Sequence, residues 1–477
     1  MERAGAAAAA LAQQLLADRP HSRGSVLLIA GPGNNGGDAF ECAVHLKRHW
    51  FRTTVVFVGD RNKLPPDAQA ALGKWEAAGG SLESDIPEQG AWDLVIDGLF
   101  GMGLSRPLTG LHADWVARIN ALGVPVLALD IPSGLNADTG AVMGDAVRAT
   151  HTLTFIARKP GLLTLDGPDR CGILHCDELG LQSASQNQQL ASAQLTPGST
   201  PGFLLDDSVL HGVPRRPRNF HKGLAGDVGV LGGAEGMVGA ALLAARAALR
   251  MGSGRVFIGF LAKHAPAVDL MQPELMMRDP AQVLTECPVL VLGPGMGMSD
   301  DAGDVLEAAL SGKQTLVLDA DALNLIGANE ELETMAAEHE GPMVMTPHPA
   351  EAGRLLGVNT AEVQRDRLAA AQALAQRYRC LILLKGNGSV LAEPSGGWCI
   401  NPSGNPGMAS AGMGDVLAGM LASLLAQRLP PARALQLAVW THGAAADELV
   451  SMGRGPLGIT ASDVITQAAV ILNRALK

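Results

Sequence analysis

The chain is poor in cysteine, short of positive charge and without any long apolar run, and each shortage excludes a class of protein. Six cysteines are scattered over 477 residues with no CxxC pair; this excludes a disulfide-built scaffold and reads as reduced thiols in a cytoplasmic protein. The longest apolar stretches, VLLIA from Val26 and VLVLG from Val289, are strand-sized, well short of the ~18 residues a membrane span requires. Lysine and arginine number 36 against 47 acidic residues, for a formal net charge of -11. No overall field holds a polyanion, which excludes generic binding to nucleic acid or an anionic membrane and leaves room only for a local site for a small phosphate compound. The phosphate loop GxxxxGK followed by Ser or Thr is absent as well.

What is present belongs to a globular chain. At 47% hydrophobic and 17% charged residues, with 58 glycines and 28 prolines, the composition is too apolar for disorder and too low in Gly and Pro for low-complexity or collagen-like structure. At ~100–200 residues per domain the length implies two to three domains, each able to bury a full core. The Ala-rich start, MERAGAAAAALAQQLLA, lacks a basic first segment, carries Glu2, Gln13 and Gln14, and runs into a strand; it reads as the first helix rather than a leader.

The N-terminal third alternates helix-period segments with short runs rich in Val, Ile and Leu: SVLLIAG, TTVVFVGD, DLVIDGLFG and VPVLALDIPSG. Buried parallel strands have this composition. Between Gly180 and Gly202 the pattern dissolves into LQSASQNQQLASAQLTPGSTPG, polar and Pro-punctuated, which predicts a domain boundary. After Phe220 the alternation resumes with DVGVLGG, VLVLGPG, TLVLDADALN, PMVMTPHP and CLILLKG. The expected organisation is two consecutive α/β domains, residues 1–182 and 203–477 joined by a linker at 183–202, with parallel sheets and right-handed crossovers. In open α/β sheets ligands sit beyond the carboxyl ends of the strands, and nearly every apolar run here ends in Gly, Asp, Asn, His or Lys.

In the first half, VLLIA runs into Gly31-Pro32-Gly33-Asn34-Asn35-Gly36-Gly37-Asp38. Glycines let backbone approach a ligand, and the amides that open a helix form an anion pocket; a tight strand-to-helix turn without a ligand is the alternative. A second Gly-rich turn with Ser105 and Arg106 follows Asp97, and Asp130 and Ser133 follow a third strand. Asp130 is a candidate acid/base at a strand end; an Asp capping the turn before Pro132 is the alternative. MERAG, GNNGGD, DGLFGMGLSRPL and DIPSGLNADTG together resemble the YjeF N-terminal domain family, the NAD(P)H-hydrate epimerases, over roughly residues 1–180. The resemblance implies a Rossmann-like three-layer α/β/α domain. In it Asn34, Asn35, Gly36, Gly37 and Asp38, with Gly101, Met102, Gly103, Leu104, Ser105, Arg106 and Pro107, hold the hydrated dinucleotide. It also implies a K+ ion at Asn35, Asp97 and Ser133, an oxygen set that suits a hard monovalent cation. Ala39 and Met102 stand where the family usually has Gly and Thr.

In the second half, Val238-Gly239-Ala240 opens a segment rich in Ala and Gly, whose small residues permit close helix packing or accept a flat ring against the backbone. VLVLGPGMG ends at Gly297, VLDADALN offers Asp319, Asp321 and Asn324, and TPHPAEAGRLL holds His348 between Pro347 and Pro349 with Glu351 just beyond. LILLKGNGS brings Lys385 into a Gly-bearing turn, and NPSGNPGMASAGMGDVLAG leads into an expected long amphipathic helix, whose N-terminal amides face an anion. Asp415 at that helix start is either a favourably placed charge with no ligand or, in the spacing Gly412-x-Gly414-Asp415, a carboxylate base beside a phosphate. These segments are similar to the YjeF C-terminal domain family, the ADP-dependent NAD(P)H-hydrate dehydratases of the ribokinase-like superfamily, from about His221 to GITASDVI. The similarity implies a ribokinase-like α/β domain in which Ala240, Gly297, His348 and Asp415 contact the hydrated nicotinamide nucleotide. It places an adenine nucleotide at Lys385, Gly386, Asn387, Gly388, Ser389 and Gly414. Met413 stands where the family usually has Thr.

The activity so implied is coenzyme repair. The first domain interconverts the R and S hydrates of NADH and NADPH, and the second dehydrates the S hydrate with ADP as co-substrate. K+ and, as an optional companion, Mg2+ are the expected ions, in a cytoplasmic homo-oligomer. Elimination needs a better leaving group than hydroxide; a phosphoryl donor beside the substrate supplies one, with Asp415 taking the hydroxyl proton and Lys385 holding nucleotide charge. Two alternatives stand beside this reading: a ribokinase-like ATP-dependent small-molecule kinase, and a dehydratase whose first domain is a non-catalytic binding module. The TPHPAE segment and the fused GNNGGD weigh against the first, intact Asp97 and Asp130 against the second.

Overall fold

In a computed structural model of the chain the described residues are 1–17, 24–181, 202–211, 213 and 215–476, and they divide into two compact units, Met1–Ala193 and Gln194–Lys477. The expected linker at 183–202 lies outside the described residues apart from Gly202.

The described residues of the first unit build a seven-stranded sheet from β1 (Ser25–Ala30), β2 (Arg52–Phe57), β3 (Leu82–Glu83), β4 (Leu94–Gly98), β5 (Val126–Leu129), β6 (His151–Phe155) and β7 (Ile173–Asp177). The order is β3-β2-β1-β4-β5-β6-β7 and every neighbouring pair is parallel. The continuous apolar run of β1 follows from burial on both faces. Val26, Leu28 and Ala30 pack under the helices Glu2–Leu16, Asn34–Arg48 and Pro66–Ala77, whereas Leu27 and Ile29 pack under Trp115 and Val116 of the helix Leu111–Ala121. Alternate residues of one strand thus serve two cores, giving three layers.

In the second unit the strands are β8 (Phe203–Leu204), β9 (Asp227–Gly232), β10 (Arg255–Phe260), β11 (Met276–Met277), β12 (Val289–Leu292), β13 (Thr315–Leu318), β14 (Met343–Met345), β15 (Leu381–Leu384), β16 (Ser389–Ala392) and β17 (Trp398–Asn401). They form one sheet in the order β11-β10-β9-β12-β13-β14-β15-β16-β17-β8. The expectation of purely parallel sheets fails here: β15, β16 and β17 pair antiparallel. Only residues 385–388 separate β15 from β16, and a link that short closes a hairpin, whereas a parallel return needs a dozen residues or more.

The last Gly-rich segment also departs from expectation. The helix Met413–Ala426 is not amphipathic but buried throughout except at Gly414 and Asp415, because it lies between the helices Val238–Arg250 and Pro431–Ser451 and the strands beneath. The approach to Val238–Arg250 depends on Gly419, where an added Cβ would fall 1.9 Å from the carbonyl oxygen of Ala244. Gly419→Ala is therefore expected to destabilise the second unit by about 3 kcal/mol. The check is its denaturant midpoint, with the first unit's transition unmoved.

Both sheets reverse strand order once near their centre, between β1 and β4 and between β9 and β12. At such a switch point the outgoing connections run to opposite faces and leave a crevice at the carboxyl ends of the strands.

Candidate functional site

At the first crevice, the loop after β1 leads into the helix Asn34–Arg48 and the loop after β4 lies beside it. Their contact is tight: a Cβ added at Gly31 would stand 1.6 Å from the carbonyl oxygen of Leu99. A cavity of about 520 Å³ opens there, lined among others by Asn34, Asn35, Asp38, Gly101, Met102, Gly103, Leu104 and Asp130. Gly36 and Gly37 are buried in helix packing, and Ser105, Arg106 and Pro107 are exposed beyond the cavity lining. Of these thirteen sequence-derived residues, eight line the cavity and five do not.

Asp97, at the carboxyl end of β4, is fully buried. Its carboxylate accepts from Ser133 Oγ at 2.6 Å, Ser133 N at 2.8 Å and Leu99 N at 3.2 Å. Burial nevertheless pushes its carboxyl above the usual range. The buried amide of Asn35, which a Cβ on Gly101 in the loop after β4 would meet at 3.5 Å, has neither Nδ2 nor Oδ1 hydrogen-bonded. Asp38 is pushed up to about 7, by burial first and then by the neighbouring Asp130 and Glu41 carboxylates.

Asp130 closes β5 with φ of 63°, a left-handed conformation that Asp tolerates better than most residues. Its Oδ1 accepts from the ammonium of Lys159, which also donates to Thr154 Oγ1 and the Phe155 carbonyl, both at 2.8 Å. Sequence reasoning missed Lys159: in TFIARKPG it looks like any lysine in a turn, and only the parallel pairing of β5 with β6 brings it to Asp130.

At the second crevice, Asp319 directly follows β13, Lys385 follows β15, and Asp415 lies in the first turn of Met413–Ala426. Lys385 donates to Asp319 Oδ1 and stands 3.9 Å from Glu351 Oε2. Burial opposes its charge, yet the two carboxylates hold the ammonium above its usual range. The helix start rests on this pair, since a Cβ at Gly414 would lie 3.1 Å from Asp319 Oδ2 and 3.3 Å from Lys385 Nζ. Burial, then Asp319, raises Asp415 to about 6, against the pull of Lys385. No side chain caps this helix, so its first amides remain open to an anion.

His348 caps the helix Pro349–Leu356: its Nδ1 accepts from Ala350 N at 3.1 Å and Glu351 N at 3.2 Å, while Glu351 Oε2 accepts from His348 N at 2.7 Å. That nitrogen is therefore occupied, and Nε2 stands 3.1 Å from Glu351 Oε1, so both ring nitrogens are engaged within the cap. Ala240 and Gly297 flank the reversal between β9 and β12, with Gly297 N donating to Asp321 Oδ2 at 2.8 Å. Gly386, Asn387 and Gly388 form the hairpin loop that Lys385 opens, and Ser389 begins β16. Under this loop lies a second group that sequence reasoning missed. Arg367, 1% exposed, donates to the carbonyls of Leu384, Lys385 and Gly388, and burial pulls it down to about 10. Nothing in DRLAAAQALAQRY marks its first arginine for that task.

Known proteins match both units. Residues 228–467 match the family described as NAD(P)H-hydrate dehydratase and residues 1–161 the family described as YjeF-related protein N-terminus. The bifunctional NAD(P)H-hydrate repair enzyme Nnr of Coxiella burnetii is 38% identical over 480 residues, covering 99% of this chain and 94% of that protein. The protein of the same name from Escherichia coli is 37% identical over 479 residues, covering 99% and 89%. A crystal structure of the Bacillus subtilis ADP/ATP-dependent NAD(P)H-hydrate dehydratase, co-crystallised with ATP and Mg2+, superposes with a TM-score of 0.50 at 30% identity, covering 56% of this chain and 96% of that one. With kinship of this extent running through both halves, the chain belongs to the family of bifunctional NAD(P)H-hydrate repair enzymes.

Proposed function

We propose that the first unit epimerises the R and S hydrates of NADH and NADPH and that the second dehydrates the S hydrate with ADP or ATP as co-substrate. The observation that carries this reading is Asp415 in the first turn of an uncapped helix beside Lys385 and Asp319: a base and a phosphate cradle in one place.

A hydrated dihydronicotinamide bears its hydroxyl on the carbon next to the ring nitrogen. Asp415 takes the hydroxyl proton as the oxygen attacks the terminal phosphorus of the nucleotide; the bond from that phosphorus to its bridging oxygen breaks, and the shortened nucleotide leaves with the electron pair. The first amides of Met413–Ala426 hold the transferred phosphoryl group, and Lys385, braced by Asp319 and Glu351, offsets the nucleotide's negative charge. Phosphate then departs with the C–O electron pair, the ring nitrogen's lone pair fills in behind it, and loss of the adjacent carbon's proton restores NAD(P)H. In the first unit Asp130 takes the hydroxyl proton as the oxygen becomes a carbonyl and the bond from that carbon to the ring nitrogen breaks, its electron pair passing to the nitrogen and the conjugated carboxamide; the nitrogen then re-adds to the other face of the carbonyl and Asp130 returns the proton to the oxygen.

The unpartnered, buried amide of Asn35 and the buried Asp97 carboxylate fit a K+ ion with Ser133 as third residue. The ion would offset the Asp97 charge and brace the loop after β4. Among the described residues no group of three or more His, Cys, Asp or Glu suits a metal, so Mg2+ would enter with the nucleotide's phosphates.

Mixed R and S hydrates should regain dihydronicotinamide absorbance completely with ADP or ATP and not at all without nucleotide; recovery in its absence sinks the phosphoryl-transfer step. Because Asp415 works ionised, the rate of S-hydrate dehydration should fall about tenfold per pH unit below about 6 and level off above it. Asp319, Asp321 and Lys385 all face this carboxyl, and a rate flat from pH 5 to pH 8 removes Asp415 as the base.

A further inference from the structure

The epimerase cavity holds a cation that the reaction just described leaves without a task. Lys159 lines the cavity beside Asp130, yet its side chain is only 11% exposed. An ammonium has three protons, and three protein acceptors surround this one: Asp130 Oδ1, Thr154 Oγ1 and the Phe155 carbonyl. None is spare for a substrate.

The two oxygens of Asp130 are treated differently. Oδ1 takes the ammonium and is approached by Thr154 Oγ1 and Phe155 N, each at 3.3 Å. Oδ2 accepts from no described group and faces the loop after β4, where a Cβ on Gly101 would lie 3.7 Å from it. A carboxylate on a strand end is free to turn about its side-chain bonds, and the left-handed backbone at Asp130 does not stop that. A fixed cation on one oxygen does.

Resting on the epimerase reading above, we propose that Lys159 is a positioning residue of the epimerase: it clamps Asp130 Oδ1 so that Oδ2 alone meets the substrate hydroxyl. A clamp of this kind acts on the rate and not on binding, because a misplaced base loses reactivity while the dinucleotide keeps its contacts with the two loops.

The test uses the full chain, supplied with purified R hydrate, with epimerisation read by chromatography in the absence of nucleotide. Lys159→Met is expected to lower kcat about 100-fold while KM stays within about threefold, with ADP-dependent dehydration of purified S hydrate unchanged. In Lys159→Ala, added ethylammonium should restore at least about tenfold of the loss, equally with amines of different pKa, since a clamp needs charge and not proton donation. A kcat within about threefold of the parent in Lys159→Met overturns the proposal, as does a rescue that tracks amine pKa and so marks a direct proton donor. If Lys159→Met unfolds the first unit, Thr154→Val is read instead: kcat down about fivefold with KM unchanged supports the clamp, and unchanged kcat overturns it. A parent chain that does not epimerise at all overturns the epimerase reading itself, which separates the two failures.

Discussion

Asp415→Asn should abolish nucleotide-dependent recovery of NAD(P)H from both hydrates, with a loss in dehydration rate of about 1,000-fold. The substitution keeps size and shape and removes only the ability to take a proton. The helix amides that would hold the phosphoryl group stay in place, as does the ion pair of Lys385 with Asp319, so the second unit should remain folded and still bind nucleotide. Retained ADP binding with no turnover is the signature. A variant that restores absorbance at the parental rate would dismiss Asp415 as the base and leave the cluster around Lys385 with a purely structural part.

Asp130→Asn should leave dehydration intact and stop recovery once the S fraction is consumed, with enzymatic epimerisation slower by about 1,000-fold. An Asn at this position still offers Oδ1 to the Lys159 ammonium, and it tolerates the left-handed backbone found at Asp130. The loss would then belong to the cavity-facing oxygen. Chromatography of the residual substrate should show R hydrate decaying only at its spontaneous rate. Continued rapid consumption of the R form would move the acid/base role to another group in the cavity, with Asp38, raised to about 7, first in line.

The placement of these two residues was legible in the sequence, because Asp130 directly follows the apolar run of β5 and Asp415 follows the glycines that open Met413–Ala426. The sheet of the first unit was legible for a local reason too: strands buried on both faces must be apolar along most of their length, as 26–30 of β1, 94–96 of β4 and all of β5 are. Less visible were β6 and β7, HTLTF and ILHCD, whose polar letters hide their pairing. The amphipathic expectation for Met413–Ala426 failed because small residues such as Gly419 count as neutral in a pattern, although in the folded unit they admit a neighbouring backbone.

Composition and the spacing of glycine and charge along the chain were enough for the two α/β units and for putting Asp130 at a strand end and Asp415 at a helix start. These features depend on a handful of adjacent residues, and local physics acts over that range. Folding alone settled which side chains meet: Lys159 with Asp130, 29 positions apart, and Lys385 with Asp319, 66 apart. It also set Arg367 beneath the hairpin loop and turned β16 antiparallel to both β15 and β17. Such partnerships follow from sheet order and register, which are fixed by how whole elements pack, and a lone Lys or Arg bears no mark of the strand it will face.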